Sequence, residues 1–79
     1  MVNPEQIRAA RAWLNISQQE LADASEVTKG TIARFELGQS APHDRTLRDL
    51  RLALESRGIE FLFEGDVPVG IRINATKSP

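Results

Sequence analysis

The side chains able to do chemistry in this 79-residue sequence are few: one His, no Cys, no Tyr, and eleven carboxylates against ten Lys and Arg. One His cannot build a zinc site, and without thiols there are neither disulfides nor thiolate ligands. No glycine-rich phosphate loop and no pair of acids in a plausible pocket occur, so catalysis is not expected and neither a metal nor another cofactor is implied. What remains is recognition through hydrogen bonds and charge. Residues suited to it concentrate in SQQELADASEVTKGTIARFELG, residues 17–38, which holds two helix-start signals only a few residues apart.

The elements that must position these residues fit one small domain, with little room for a deep pocket, so binding is expected on a surface. Net charge is −1 with a pI near 5.7, which argues against a strongly basic, sequence-blind nucleic-acid binder but not against a specific one. Residues 1–58 hold eight basic and eight acidic side chains; any anion-binding face must come from sorting charges to opposite sides. The opening MVNPEQIRAARAWL mixes charges with short apolar steps and reads as neither a signal peptide nor a membrane span. With no Cys, this predicts a cytoplasmic protein without a membrane partner.

Asn3, Pro4 and Glu5 start a first helix, with an Asx cap, Pro at the first helical position and an acid at the positive dipole end. Ile7, Ala10, Arg11 and Leu14 recur along it, and Asn15 can adopt the left-handed conformation that ends it. Ser17 and Glu20 form a capping box that starts a second helix with Leu21, Ala22 and Ala24 as its apolar face, ending near Ser25. Thr28 caps a third, with Ile32, Phe35 and Glu36 on one side and Gly38 closing it. A fourth is predicted over Asp44 to Arg57, with Leu47, Leu50, Ala53 and Leu54 inward and Gly58 as its stop. Trp13 reads as a core anchor, the commonest place for a single aromatic in a small domain, with a dimer or partner contact as the alternatives, and His43 as polar surface.

After Gly58 the period becomes two: Ile59, Phe61 and Phe63, then Val69, Ile71 and Ile73, which predicts a β-hairpin. Pairing Phe61 with Ile71 sets Ile59 beside Ile73 and Glu60 across from Arg72, with Gly65-Asp66 in a loop from Glu64 to Pro68. The expected organisation is a helical domain over 1–58, a hairpin over 59–73 and a disordered tail over 74–79. An isolated hairpin is marginal in water. Ile59, Phe61, Phe63, Val69, Ile71 and Ile73 are therefore expected to be covered partly by the bundle and partly by a second copy, making the hairpin the dimer interface.

Two short helices joined by a tight turn, the second exposing polar residues near its start, form a helix-turn-helix whose second helix suits the DNA major groove. The stretches SQQELA, VTKGTIARFELG and P...TLRDLRLAL, between about Ile7 and Leu54, resemble the XRE family of lambda repressor and Cro-like helix-turn-helix regulators. The resemblance implies a mainly α fold, a lambda repressor-like four-helix bundle here followed by the hairpin, working as a homodimer on double-stranded DNA. It implies a sequence-specific transcriptional repressor that reads a palindromic operator through its third helix.

By position, the resemblance assigns Gln18 to a phosphate or flanking base, and places Lys29, Gly30, Thr31 and Arg34 on the groove-facing side. Arg34 is the implied bidentate partner of guanine O6 and N7, with Lys29 reaching the same atoms or a phosphate. Thr31 and the backbone amides of Gln39 and Ser40 are implied phosphate donors, and Arg11 with Glu36 an ion pair tying the first helix to the third. Thr28 reads as a cap rather than a contact, and Arg45, Arg48 and Arg51 as a solvated face with at most one phosphate contact. Two positions depart from the family pattern: Glu26 stands where the turn usually has Gly, and Gly30 where a base reader is usual. With the neutral charge, they keep open a second reading, an antiactivator or adaptor that binds another regulatory protein.

Overall fold

The computed structural model describes residues 1–74. Four helices, α1 (Pro4–Leu14), α2 (Gln18–Ser25), α3 (Lys29–Glu36) and α4 (Asp44–Glu55), precede an antiparallel hairpin of β1 (Ile59–Glu64) and β2 (Val67–Ile73). This is the expected mainly helical bundle with a C-terminal hairpin. From residue 75 the expected tail lies outside the described residues, and the Asn74 N–H donates to the Gly58 carbonyl at 2.7 Å.

Side-chain caps set the helix starts. Asn3 Oδ1 accepts the Gln6 N–H at 2.8 Å while Gln6 Oε1 accepts the Asn3 N–H at 3.1 Å, a reciprocal box that the Asn-Pro-Glu signal alone did not reveal. Ser17 and Glu20 exchange the same bonds, both at 3.0 Å. Thr28 Oγ1 accepts the Thr31 N–H at 3.3 Å.

Left-handed residues set the ends: Asn15 at φ 56° and Glu26 at φ 61°. The α2–α3 turn therefore keeps a left-handed geometry with Glu in place of Gly. α3 closes at Gly38, φ 74°, where the Gly38 N–H reaches Phe35 O at 2.9 Å and the Gln39 N–H reaches Arg34 O at 2.8 Å, the paired bonds of a Schellman end. α4 stops at Glu55, two residues before the expected Arg57; Arg57 and Gly58 instead donate to the Leu54 and Glu55 carbonyls in tighter turns.

The core joins Ile7 and Ala10 of α1, Leu21 and Ala22 of α2, Val27, Ile32 and Phe35, Leu47, Leu50 and Leu54 of α4, and Ile59 and Phe61 of β1. Trp13 is 63% exposed, which corrects its expected place in the core. Gln6, Ile7, Ala10 and Leu14 hold the inward stripe of α1, and Trp13 falls on its flank. Ala24 is likewise exposed; Ser25 takes the inward position of α2, its hydroxyl donating to Leu21 O at 2.7 Å.

The hairpin has the expected register: Ile59 opposite Ile73, Glu60 opposite Arg72, Phe61 opposite Ile71. Arg72 closes the charge pair with Glu60 at 2.7 Å. A bulge after Leu62 shifts the pairing, so that Phe63 faces Pro68 and Glu64 faces Val67. The turn is thereby reduced to Gly65-Asp66, and Pro68 joins a strand at an irregularity that tolerates its missing donor. β2 packs along α1 and β1 along α4.

This packing corrects part of the expected dimer face. Ile59 and Phe61, at 3% and 5% exposure, are buried in the core of their own chain and are not available to a partner. Phe63 and Ile71 pack partly against that core, while Val69 and Ile73 remain open to solvent. The reason is that α4 packs along β1 and α1 along β2, so the helices of the same chain cover the inward side chains of the hairpin.

Candidate nucleic-acid interface

α3 is buried along Ile32, Phe35 and Glu36 and exposes Lys29, Gly30 and Arg34, with Thr31 and Ala33 half-buried. Three apolar or ion-paired anchors thus fix one side of a two-turn helix and aim the other at solvent. The side chains of Lys29 and Arg34 make no hydrogen bond or ion pair among the described residues. α1, α2 and α4 each carry an acid in the first turn, Glu5, Glu20 and Asp44. α3 has none and begins with Lys29. Its positive dipole end is uncompensated and further charged, an arrangement unfavourable to the isolated helix and favourable to an anion.

Gly30 lies one turn before Arg34. A Cβ built at Gly30 would sit 3.3 Å from Arg34 Nη1, so the guanidinium lies over the bare backbone of the first turn. The glycine gives Arg34 a low surface on which to move. The Thr31 hydroxyl is 2.9 Å from that of Thr28; with Thr28 as donor, Thr31 keeps its hydrogen for an acceptor outside the protein.

Glu36, 3% exposed, is the polar hub behind this face. Arg11 grips it with two bonds, Nε to Oε2 at 2.6 Å and Nη2 to Oε1 at 2.8 Å, and donates its Nη1 to Ile16 O at 3.0 Å. Gln18 Nε2 donates to Glu36 Oε1 at 3.0 Å. Arg8 donates to the Glu36 backbone carbonyl while lying 3.6 Å from Glu5. One carboxylate therefore joins α1, the start of α2 and the end of α3. Burial pushes its pKa up, but the hydrogen bonds from Arg11 and Gln18 and the charges of Arg11 and Arg8 outweigh this and hold it below the ordinary carboxylate range. The hydrogen bond to Glu36 raises Arg11 in turn, against the opposing effect of burial.

The structure brings Lys29, Gly30, Thr31 and Arg34 onto one face and Arg11 and Glu36 into an ion pair. Gln18 stands at the start of α2 with one amide N–H engaged on Glu36 and its carbonyl oxygen unengaged. The expected phosphate contact from the Gln39 amide requires correction, because that N–H already closes α3 on Arg34 O. Ser40 keeps a free backbone N–H among the described residues, whereas its hydroxyl oxygen is buried without a partner and is not presented to a ligand. Sequence reasoning missed Arg8, although its place one turn before Arg11 on the same helix was a usable signal. It could not have found the carbonyl that Arg8 binds, 28 residues away.

Among the described residues no helix is long and apolar enough to cross a membrane, and no group of three or more His, Cys, Asp or Glu is placed to hold a metal ion. A family model described as helix-turn-helix matches residues 7–61. No curated protein matches the chain.

Proposed function

The chain belongs to the XRE, or lambda repressor-like, helix-turn-helix family of DNA-binding regulators, and from that premise we propose that it is a dimeric, sequence-specific repressor acting in the cytoplasm. α3 enters the major groove of a palindromic operator. Arg34 makes the bidentate contact to guanine, and Lys29, Thr31, Gln18 and the Ser40 amide meet the backbone on either side. The observation that carries this reading is the pair of unpartnered cations, Lys29 and Arg34, on the open side of a helix whose other side is locked by Ile32, Phe35 and Glu36.

A nearly neutral module has little general affinity for phosphate, so much of the binding must come from two copies acting together. The dimer is formed through the hairpin side of the molecule, where Val69 and Ile73 stay exposed. Its recognition helices are spaced to fit half-sites about one DNA turn, roughly 34 Å, apart.

Selection of bound sequences from random duplexes, followed by a salt series on the winner and a scrambled control, tests the proposal. A recovered palindrome with a steep salt dependence supports it. If no sequence is enriched and no duplex binds near physiological salt, the repressor reading fails and the adaptor reading, with a protein partner, replaces it.

A further inference from the structure

Outside the recognition surface, the side chains of Arg45 and Arg48 of α4, and of Glu64 and Asp66 at the hairpin turn, make no hydrogen bond or ion pair among the described residues, as is also true of Glu26, Asp44, Asp49 and Arg57. Arg51 pairs with Glu55 at 2.9 Å and Arg72 with Glu60 at 2.7 Å. Arg45, Arg48 and Leu52 follow one another at i, i+3 and i+7 along the outward side of α4, and all three are exposed. Arg45, Arg48 and Arg51 also line, with Met1 and Asp44, an open depression of about 390 Å³. Met1 and Leu52 are 52% and 53% exposed. This region is basic with apolar contributions.

The hairpin turn has the opposite character. Glu64, Gly65 and Asp66 lead into Val67, which is 60% exposed, so an apolar side chain projects beside two unpartnered carboxylates. The two regions adjoin: the Arg51 guanidinium lies over the Phe63 ring, 5.5 Å from its centroid, and Phe63 directly precedes Glu64. A basic hollow next to an acidic turn on one molecule is complementary to itself under a two-fold rotation, the condition for an isologous interface.

We propose that a second copy of this chain docks here, the hairpin turn of each copy entering the α4 hollow of the other. Glu64 and Asp66 face the partner's Arg45 and Arg48, and Val67 covers the partner's Met1 and Leu52. The inference rests on the dimer reading above and gives it a surface and a register. Exposed ion pairs contribute little affinity individually; their work here is to exclude other orientations and to order the encounter, while apolar contacts and the rest of the hairpin supply the adhesion. Duplex DNA is the poorer occupant, because Asp44 lines the hollow and two more acids stand beside it.

The test is a reciprocal charge exchange read by sedimentation velocity, with circular dichroism melts confirming that each variant folds; all four positions are exposed and unpartnered, so folding should persist. Arg45→Glu/Arg48→Glu and Glu64→Lys/Asp66→Lys should each be monomeric at a concentration where the parent chain is a dimer. Mixed in equal amounts they should dimerise again, because each turn then meets a hollow of opposite sign. The parent dimer should weaken at ~1 M salt, where the Debye length is about 3 Å. If both variants remain dimeric while Val69→Asp is monomeric, the docking is overturned and the hairpin dimer stands. A monomeric parent overturns both. Loss of operator affinity in a Arg45→Glu/Arg48→Glu protein that stays dimeric also overturns it, and makes the arginines phosphate contacts.

Discussion

Gln6 Nε2 donates to the Gly70 carbonyl at 2.8 Å across 64 residues of sequence, and to the Leu62 carbonyl at 3.0 Å. Leu62 and Gly70 are the last regular pair before the hairpin bulge, so one buried amide satisfies two carbonyls that the irregular ladder leaves over. The same side chain completes the α1 cap through Oε1. Gln6→Ala should therefore lower stability by about 1–3 kcal/mol, the cost of stranding buried polar groups. Hydrogen exchange should speed up most in the hairpin and the first turn of α1; uniform acceleration would mean that Gln6 only fills space.

The Arg11–Glu36 pair should dominate the polar contribution to stability. Arg11→Ala leaves a buried carboxylate without its partner and should cost about 3 kcal/mol, seen as a lower melting temperature before any change in DNA preference. Because the folded-state pKa of Glu36 is held below its ordinary value, its contribution is complete above the ordinary carboxylate range and is lost as pH falls through the depressed value. The stability difference between the parent and Glu36→Gln should accordingly be flat from neutral pH down to that range and shrink below it. A difference that instead widens with acid contradicts the assigned direction.

Glu26 holds a left-handed conformation at φ 61° with its side chain exposed and in no hydrogen bond or ion pair among the described residues. Glu26→Gly should stabilise the fold by about 1 kcal/mol, the left-handed penalty less the added chain entropy of glycine. Thermal melts decide this; an unchanged or lower midpoint would mean that the turn is not strained.

Gly30→Ala and Arg34→Ala should separate stability from readout. Ala at 30 improves helix propensity by up to about 1 kcal/mol, yet its Cβ would crowd Arg34 Nη1, 3.3 Å away. The variant should melt higher while its selected operator loses sharpness at the base read by Arg34. Arg34→Ala should leave melting unchanged and remove roughly 1–3 kcal/mol of discrimination at that base. Equal selectivity in parent and Gly30→Ala would show that Arg34 does not depend on the missing side chain.

Trp13 is the one Trp of the sequence and is 63% exposed. Its emission should resemble that of an indole in water, with efficient acrylamide quenching, and Trp13→Ala should change stability by no more than about 0.5 kcal/mol. Blue-shifted, protected emission would mean that Trp13 is covered in solution, by a partner or a second copy.

Where local chemistry sufficed, the sequence was enough. The Ser17–Glu20 box, the Thr28 cap, left-handed Asn15, Gly38 and Gly58 mark the helix ends within a residue or two, and the alternation after Ile59 set both strands and their register up to Leu62. These features depend on neighbours three or four residues apart or directly opposite, which the order of residue types encodes. The outward side of α3 was legible for the same reason, since its inward stripe of Ile32, Phe35 and Glu36 leaves only one side for Lys29, Gly30 and Arg34.

Tertiary structure decided what depends on which surfaces meet. It sent Ile59 and Phe61 into their own core rather than toward a partner, left Trp13 outside, engaged the Gln39 amide in closing α3, and recruited Gln6 and Arg8 to carbonyls far along the chain. A side chain's type states which bonds it can make. Whether a distant carbonyl or an apolar wall stands within about 3 Å to 4 Å of it is set by how the elements pack, because burial and hydrogen bonding act only at contact.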